Sequence, residues 1–365
     1  MSNEIRNETS NETSNETINV ACSPINKLNE GKLFIKYKSS YKSAFLDLSI
    51  HTFYVSCAFY LMWLFKNSYL SLFTIPFLGL LNIKTFIIFH DCGHNSYTPN
   101  KTLNFIIGTI ISPLIYFPFS WNYSHNTHHL TNGNYDNKYK FNYNELILCT
   151  FNQYKNMSIM KQNVYKIIFS PYILFTFLTY IKFIFIERFN VIKFFINQYA
   201  YKPSYLNLII DQLINNIGIC FVLYLQYKYS IMYHSLLSFC ISSSCGSLLF
   251  FNQHTFNPPY VVNNKNWNMK DSGLKGSSFI QIPYLLKYFT GGIEYHHIHH
   301  FNSKIPSYNL QHYHEEVIKK SNKFDNIIKL SMSDCYNNLT LSLYDETKNK
   351  YITFAEADKE IIKSK

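Results

Sequence analysis

The stretch EYHHIHH, residues 294–300, places four imidazole side chains within seven residues. Two other short segments have the same character, HDCGH at 90–94 and HNTHH at 125–129. The last two segments along the chain share the pattern H-x-x-H-H, and the first pairs two histidines four residues apart. Residues three and four apart are neighbours on a helix surface, so this spacing lets imidazoles converge. His297 falls off that face and is left out of the predicted ligand set.

Together, the three segments predict a metal site assembled from distant parts of the chain. The predicted ligands are the eight remaining histidines of the segments: His90, His94, His125, His128, His129, His296, His299 and His300. Eight ligands exceed the four of a tetrahedral zinc site, which indicates two metal ions. Imidazole ligation suits zinc, copper, iron or nickel, so the ligand type alone does not choose the metal. An incidental polar patch would account for one H-x-x-x-H pair, but not for three segments beside apolar blocks.

The composition is typical of a membrane protein. The 365 residues are 47% hydrophobic and carry a net charge of +11. Four apolar blocks, at 45–65, 69–89, 205–227 and 231–251, each approach the ~20 residues that cross a bilayer as a helix. The short connection within each successive pair predicts two helical hairpins. Lys and Arg flank these blocks instead of forming one dense stripe, so no nucleic-acid partner is expected.

A shared metal site requires all three histidine segments on one side of the membrane. An even number of crossings must then separate them, so the further apolar stretches 103–118 and 163–187 are predicted to be interfacial. The expected fold is an all-α integral membrane protein with four transmembrane helices in two hairpins, interfacial helices and a cytosolic histidine-bearing cap. A histidine-rich metal transporter would instead need its ligands near the bilayer midplane.

The chain is predicted to have three regions. Residues 1–26, which repeat Asn, Glu and Thr, are expected to form a disordered polar tail. Residues 27–325 form the membrane domain, and 326–365 a cytosolic C-terminal tail. The eight cysteines include no C-x-x-C pair, so separate reduced thiols are expected.

The sequence around the histidines resembles the membrane fatty acid desaturases, and in particular their acyl-lipid Δ12/ω6-like group. The matching stretches are FHDCGHNSY (89–97), SHNTHHLTNGNYD (124–136) and YFTGGIEYHHIHHFNSKIPSYNL (288–310). The resemblance implies a non-haem di-iron centre that uses O₂ and two electrons to introduce a double bond into a fatty acyl chain. Removing hydrogen from an unactivated C–H bond needs a redox metal, which favours iron over zinc.

The resemblance also proposes residues around the metals. The eight segment histidines carry over as ligands, and FNQHTF (251–256) supplies His254 as a ninth candidate. Asp91 is expected to accept a hydrogen bond from a ligand imidazole, and Asn252 to reach the metals through water. Asp136 and Glu294 are further candidates for such supporting contacts. The chain departs from the family pattern at Asn257, where relatives often have an acidic residue, and at 292–294.

The remaining expectations concern substrate and partners. The acyl chain, linked to a lipid, would lie in an apolar tunnel that ends near the histidines. The chain contains no HPGG haem motif, so electrons are expected from a separate cytochrome b5 or ferredoxin. The expected location is the endoplasmic reticulum with a cytosolic active site, or alternatively a bacterial-type inner membrane. A di-iron lipid hydroxylase or a carotenoid ketolase is the alternative function.

Overall fold

The structure is a computed structural model that describes residues 30–136, 149–195, 199–200 and 203–363. The predicted polar tail, 1–26, lies outside the described residues. The α-helices are α1 (Glu30–Tyr37), α2 (Tyr41–Phe65), α3 (Ser71–Gly93), α4 (Lys101–Ile111), α5 (Trp121–Thr131), α6 (Phe151–Lys155), α7 (Ile159–Ile168), α8 (Thr179–Ile181), α9 (Asn190–Phe195), α10 (Tyr205–Lys228), α11 (Met232–His254), α12 (Met269–Lys275), α13 (Lys287–Thr290), α14 (His296–Phe301), α15 (Ser307–Lys320), α16 (Met332–Asn338) and α17 (Phe354–Lys363). The 3-10 helices are Ser112–Ile115 and Tyr284–Leu286, and the π-helical stretches are Ile173–Leu178 and Lys182–Ile186. The strands are β1 (Phe279–Ile280), β2 (Lys329–Leu330), β3 (Leu341–Asp345) and β4 (Lys350–Thr353).

Four helices are long and apolar enough to cross a membrane. These are α2, α3, α10 and α11, with 25, 23, 24 and 23 residues. They coincide with the predicted apolar blocks, but α3 and α11 continue past the predicted ends at 89 and 251. The extra residues place His90 and His254 in the last turns of α3 and α11. α3 packs along both α11 and α2, so the two histidine-bearing helices lie side by side.

The outward faces of these helices are apolar. Phe53, Phe73 and Ile217 have 63%, 74% and 71% of their surface exposed. Contiguous exposed apolar surface of this kind is unfavourable in water and marks contact with a membrane or a partner. Together with the length of the four helices, it indicates that the chain is a membrane protein.

Hydrogen bonds join the beginnings of α2 and α10 to the segments that carry histidines. The Tyr97 hydroxyl, just after His94, donates to Oδ2 of Asp47 in α2 at 3.0 Å. The backbone N–H of Ser120, just before α5, donates to Oδ2 of Asp211 in α10 at 2.7 Å. The beginnings of α2 and α10 therefore lie at the same end of the helix bundle as the C-terminal ends of α3 and α11.

The two stretches predicted to be interfacial are both broken. The first forms α4, which Asn100 caps, and then a 3-10 turn that ends at Tyr116 with a left-handed φ of 65°. In the second, α7 and the helical segment Ile173–Ile186 are bent by 62°. The bent segment lies against α11, because Phe175 meets Phe251 with ring centroids 5.2 Å apart.

The predicted C-terminal tail, 326–365, is folded as far as Lys363. β2 pairs in parallel with β1, and β3 pairs with β4 in an antiparallel hairpin. A small apolar core joins this hairpin and α17 to α6, and its fully buried members are Tyr154, Leu343, Ile352 and Ala357. The C-terminal segment therefore packs against two parts of the main domain, β1 and the region around α6.

Candidate metal centre

Nine histidines converge at the end of the bundle where α3 and α11 finish. Four helices supply them: α3 and its C-terminal end, α5, α11 and α14. Their ring nitrogens form two groups, and within each group the nitrogens all lie within 4.8 Å of one another. The five-histidine group consists of His90, His94, His125, His129 and His299, and the four-histidine group of His128, His254, His296 and His300. The structure thus brings together all eight segment histidines and His254.

The H-x-x-H-H pattern divides each segment between the two groups. In α5, His125 and His129 belong to the five-histidine group and His128 to the other. In α14 the assignment is reversed, since His299 joins the five-histidine group. With 3.6 residues per turn, positions i+3 and i+4 lie on opposite sides of position i. One segment can therefore face two metal positions at once.

Within each group, Nε2 atoms approach one another at hydrogen-bond distance. In the five-histidine group the Nε2···Nε2 distances are 2.8 Å for His90–His125, 3.1 Å for His125–His129 and 3.0 Å for His129–His299. In the four-histidine group they are 3.1 Å for His128–His254, 3.2 Å for His128–His300 and 3.0 Å for His254–His296. A ring nitrogen carries either one proton or one lone pair, so hydrogen bonds cannot satisfy all of these contacts. A metal ion bound by several of these nitrogens at once would account for their close approach.

Burial favours the neutral form of six of these imidazoles. Desolvation, with a smaller contribution from neighbouring imidazoles, lowers the pKa of six of them well below the ordinary value: His94, His125, His129, His296, His299 and His300. A neutral imidazole keeps a lone pair for a metal, whereas an imidazolium has none. The site is therefore set up to bind cations with neutral ligands.

Buried ring nitrogens without partners also fit a metal site. In the part of the chain that the structure describes, Nε2 of His94 is buried and accepts or donates no hydrogen bond. An unsatisfied buried polar atom costs about 1–3 kcal/mol, and natural proteins rarely leave one without a reason. His94 belongs to the five-histidine group, where a metal ion would satisfy this nitrogen.

His254 is fixed in the orientation that a ligand needs. Its Nδ1 lies 2.9 Å from the carbonyl oxygen of Gly276, to which it must donate a proton. Nε2 is then left with its lone pair, directed at His128 and His296. Metal-binding histidines commonly use such a carbonyl to fix their tautomer.

An apolar cavity of about 350 Å³ leads to the histidines. His90, His125 and His296 line one end of it, and Phe239 on α11 lines the wall much farther along that helix. The bent segment closes another side, with Leu174, Leu178, Lys182, Phe183 and Ile186 facing the cavity. A long apolar guest in this cavity would lie against histidines of both groups.

Two comparisons with known proteins agree with this site. The model of the family described as fatty acid desaturase matches residues 67–326. A fatty acid desaturase of Bacillus subtilis is 31% identical over 276 residues, which are 74% of each chain. The chain belongs to the fatty acid desaturase family. As a member of that family it is an oxidoreductase.

Other relatives of the desaturase match shorter stretches. An sn-1 acyl-lipid omega-3 desaturase (ferredoxin) of Synechocystis is 39% identical over 94 residues, 25% of each chain. An omega-3 fatty acid desaturase of the endoplasmic reticulum from Nicotiana tabacum is 36% identical over 73 residues, 20% of this chain and 18% of the relative. These short matches support the family, and their substrate names belong to those proteins.

Asp91 of the desaturase lies where the sequence predicted a supporting contact. Its Oδ2 accepts a hydrogen bond of 2.6 Å from the backbone N–H of Ser307, the first residue of α15. Its Oδ1 is 3.4 Å from Nδ1 of His90. The carboxylate is 1% exposed, so it links the five-histidine group to α15 in a buried environment.

Asn252 and Asp136 have other partners. Nδ2 of Asn252 donates to the carbonyl of Leu248 at 3.0 Å, and its Oδ1 accepts from Asn338 at 3.3 Å. Asp136 lies on an exposed turn and accepts from the backbone N–H of Asn264 at 3.2 Å. Among the described residues, no hydrogen bond joins Asp136 to a histidine of either group.

Glu294, the first residue of the stretch EYHHIHH, is buried. Its Oε2 accepts a hydrogen bond of 2.7 Å from the Thr290 hydroxyl, and desolvation raises its pKa above the ordinary value. Nearby, Gly292 has a φ of 93°, and a Cβ there would lie 2.4 Å from the carbonyl oxygen of Ser307. This departure from the family pattern therefore serves a tight turn that leads the chain into α14.

His297 faces away from both groups, and its partner could not be predicted. Its Nε2 lies 3.1 Å from Nδ1 of His314 on α15. Both rings pack against Phe324, with ring centroids 4.9 Å and 5.4 Å away. Nothing in the local spacing identifies His314, because the two histidines are seventeen residues apart and lie on different helices.

Proposed function

We propose that this chain is a membrane-bound fatty acyl desaturase with a di-iron centre. The reaction consumes one CH₂–CH₂ unit of an acyl chain, O₂, two electrons and two protons, and yields one C=C double bond and two waters. The observation that carries the proposal is an apolar cavity ending at two groups of converging imidazoles. A hydrocarbon guest and a redox-metal site are thereby joined in one buried space.

The nine histidines would hold two irons, one in each group. When bound, the iron pair supplies the reduction of O₂ that removal of two hydrogens requires. The protein excludes bulk water by burying the histidines, and the carbonyl of Gly276 holds His254 with its lone pair inward. Trp121 stacks on His125 with ring centroids 4.7 Å apart, so it also holds the cavity-facing ligand in place.

The proposed substrate is an acyl chain linked to a lipid. The names of the Synechocystis and Nostoc relatives, both sn-1 acyl-lipid omega-3 desaturases, support a lipid-linked substrate. We propose a Δ12 or ω6 position for the double bond. The ω3 position in the names of those relatives is the competing outcome, and a product profile distinguishes the two.

The four apolar helices are proposed to cross the membrane as two hairpins. This arrangement is supported at the end opposite the histidines, where Nζ of Lys66, after α2, donates to the carbonyl of Tyr229, after α10, at 3.1 Å. Two contacts also place this bent segment near the histidines. Phe175 meets Phe251, and Lys193, which pairs with Glu187, donates to the Ser124 hydroxyl next to His125 at 3.5 Å. The histidine end would face the cytosol, in the endoplasmic reticulum or in a bacterial-type inner membrane.

A separate electron carrier is proposed to dock over the five-histidine group. Lys304 is exposed, and its Nζ donates to the carbonyl of His94 at 2.6 Å, so a positive charge lies at this surface. An acidic ferredoxin or cytochrome b5 suits such a surface, and added salt should weaken their association. The ferredoxin in the names of two relatives supports the first choice.

Expression in a host that lacks polyunsaturated lipids tests the proposal. Fatty-acid methyl ester profiling should show a new double bond, and metal analysis of the purified protein should give two irons per chain. His125→Ala is the matched control and should lose the new product. A hydroxylated acyl chain would favour the hydroxylase alternative, and unchanged lipids despite bound iron and a working carrier would overturn the proposal.

A further inference from the structure

The wall that α11 contributes to the cavity is built from small residues. Ser242, Ser243, Gly246 and Ser247 all line it. The hydroxyls of Ser242 and Ser243 donate to the carbonyl of Phe239 at 2.9 and 2.7 Å, within the helix. Serine hydroxyls that bond back to the helix are satisfied without a partner in the cavity. The wall therefore carries only short side chains and is apolar in character.

Gly246 is unusual because it leaves space that no protein atom fills. A Cβ built on Gly246 would meet nothing within 4 Å. By contrast, a Cβ on Gly79, on the facing helix α3, would lie 2.9 Å from the carbonyl oxygen of Ser238. Glycine inside a helix is about 1 kcal/mol less favourable than alanine, and close packing often explains it. At Gly246 the free space belongs to the cavity, so a guest molecule is the explanation that fits.

The position of Gly246 divides the cavity in two. Gln253, at the histidine end, and Phe239 are fourteen residues apart on α11, or ~21 Å at 1.5 Å per residue. Gly246 lies midway, about 10 Å from either. Phe239 lies beyond Gly246 along α11, and the rings of Phe117 and Phe183 also line the cavity. Lys182 also lines the cavity, but its Nζ lies 3.6 Å from the buried Glu187 carboxylate.

The chemistry of the two ends orients an acyl chain. An ester or carboxylate loses its hydration in this largely apolar cavity, whereas a hydrocarbon does not, so the methyl end is the part that enters it. The ester end then stays at the histidine end, which is also the end where α2 and α10 begin. The stretch from the histidines to Phe239 would therefore hold the methyl side of the chain.

We infer that Gly246 determines how long an acyl chain the cavity accepts beyond the histidines. The inference rests on the proposed function, since it assigns an acyl chain to the cavity. A bulky side chain at position 246 would project into the open space and close off the part lined by Phe239. Chains that need the deeper part would be excluded, and chains that end before Gly246 would still bind.

The test compares Gly246→Leu and Gly246→Ala with Ser244→Leu. Ser244 is two residues away on α11 and does not line the cavity, so it controls for added bulk on the helix. Each purified, iron-loaded variant is given phospholipids with acyl chains of fourteen to twenty carbons. Chain binding is measured by displacement of a fluorescent fatty acid, and the products by methyl ester profiling.

Gly246→Leu should lower the ratio of long-chain to short-chain binding, and of the corresponding products, by about tenfold or more, because extra bulk in a fitted space is strongly unfavourable. Gly246→Ala should lower it about threefold, which keeps the test decisive if the leucine variant does not fold. An unchanged ratio in a folded glycine variant, or the same change in Ser244→Leu, would overturn the inference. Normal chain binding without any product in the wild type would overturn the proposed function alone.

Discussion

The five-histidine and four-histidine groups are assembled differently. The end of α3 supplies two members of the first group, His90 and His94, four residues apart. α11 supplies a single member of the second group, His254. Since four ligands complete many metal sites, the first group has one imidazole to spare and the second has none. The two metal positions should therefore differ in how they tolerate the loss of a ligand.

The groups also differ in what holds them from outside. Asp91 ties the five-histidine group to the start of α15. The four-histidine group depends on the turn of chain around His254, which the C-terminal segment supports. Asn338 donates to Asn252, and the Asn257 side chain makes two hydrogen bonds to the backbone of Tyr351, at 2.8 and 2.9 Å. These supports lie beyond residue 326, outside the region that matches the family.

Removing one ligand from each group should give the largest effect. His254→Ala leaves three imidazoles in the four-histidine group and should remove about one iron per chain. His94→Ala leaves four imidazoles in the other group and should lower its iron content less, although desaturation should fall about a hundredfold or more in both variants. Iron per chain, measured after purification, separates the two positions.

His297→Ala is the matched control for these ligand variants, because His297 lies between ligands on α14 but contacts His314. Its iron content should stay near that of the wild type. Equal iron loss from His254→Ala and His94→Ala would contradict the assignment of a spare ligand to one group. Iron loss from His297→Ala as large as theirs would contradict the division of α14 into ligand and non-ligand faces.

The sequence predicts the four long helices and the candidate ligands, but not how the ligands divide into two groups. Apolar blocks of about 20 residues predict the four long helices, because length and hydrophobicity are local properties. The spacing of His125, His128 and His129 shows that all three can approach metals. It does not show that His128 joins the other group, since that depends on how α5 packs against α11 and α14. Packing is a property of distant residues that no local pattern encodes.

The same limit explains the contacts that the sequence did not reveal. The departure from the family at Asn257 was visible, but its partner Tyr351 lies 94 residues later. Asp136 was a candidate for a supporting contact, yet the chain turns outward after α5 and exposes it. Asp91 lies on α3 itself, so its distance from His90 does not depend on such a turn.

Asp91→Asn tests the outside support of the five-histidine group. The amide keeps the shape of the carboxylate but has one acceptor oxygen in place of two, so it cannot serve both Ser307 and His90. Loss of such a support typically lowers metal affinity 10–100-fold, and we expect that loss at one of the two irons. Iron titration of the apo-protein measures it.

Asp136→Asn is the control for this substitution. Asp136 lies on an exposed turn, and within the described residues it accepts only from the backbone N–H of Asn264. Its iron affinity should match the wild type. A similar loss in both variants would mean that the effect comes from net charge and not from the contacts of Asp91.

Asn257→Asp tests the support of the four-histidine group and should have a smaller effect. The aspartate can still accept from the backbone N–H of Tyr351, but it cannot donate to the carbonyl, which its second oxygen would repel. We expect a loss of a few-fold in iron affinity at one position and a lower unfolding temperature.

Asn263→Asp is the control, because the Asn263 side chain accepts from the backbone N–H of Asn266 at 3.1 Å, which an aspartate can also do. Equal effects of the two substitutions would show that the C-terminal segment does not support the metal site.

The smallest effect concerns α14, which serves both groups and rests on the His297–His314 contact. Burial lowers the pKa of His314 to about 4, whereas an unfolded histidine titrates near 6.5. Between these pH values the unfolded chain binds more protons, so the folded state loses stability as the pH falls from about 6.5 to about 4.

His314→Asn should reduce this loss of stability, measured as the shift in unfolding temperature between pH 7 and pH 5. His312→Asn, at an exposed position on the same helix, should leave the shift unchanged. An unchanged shift in His314→Asn would contradict the contribution of His314 to this loss of stability.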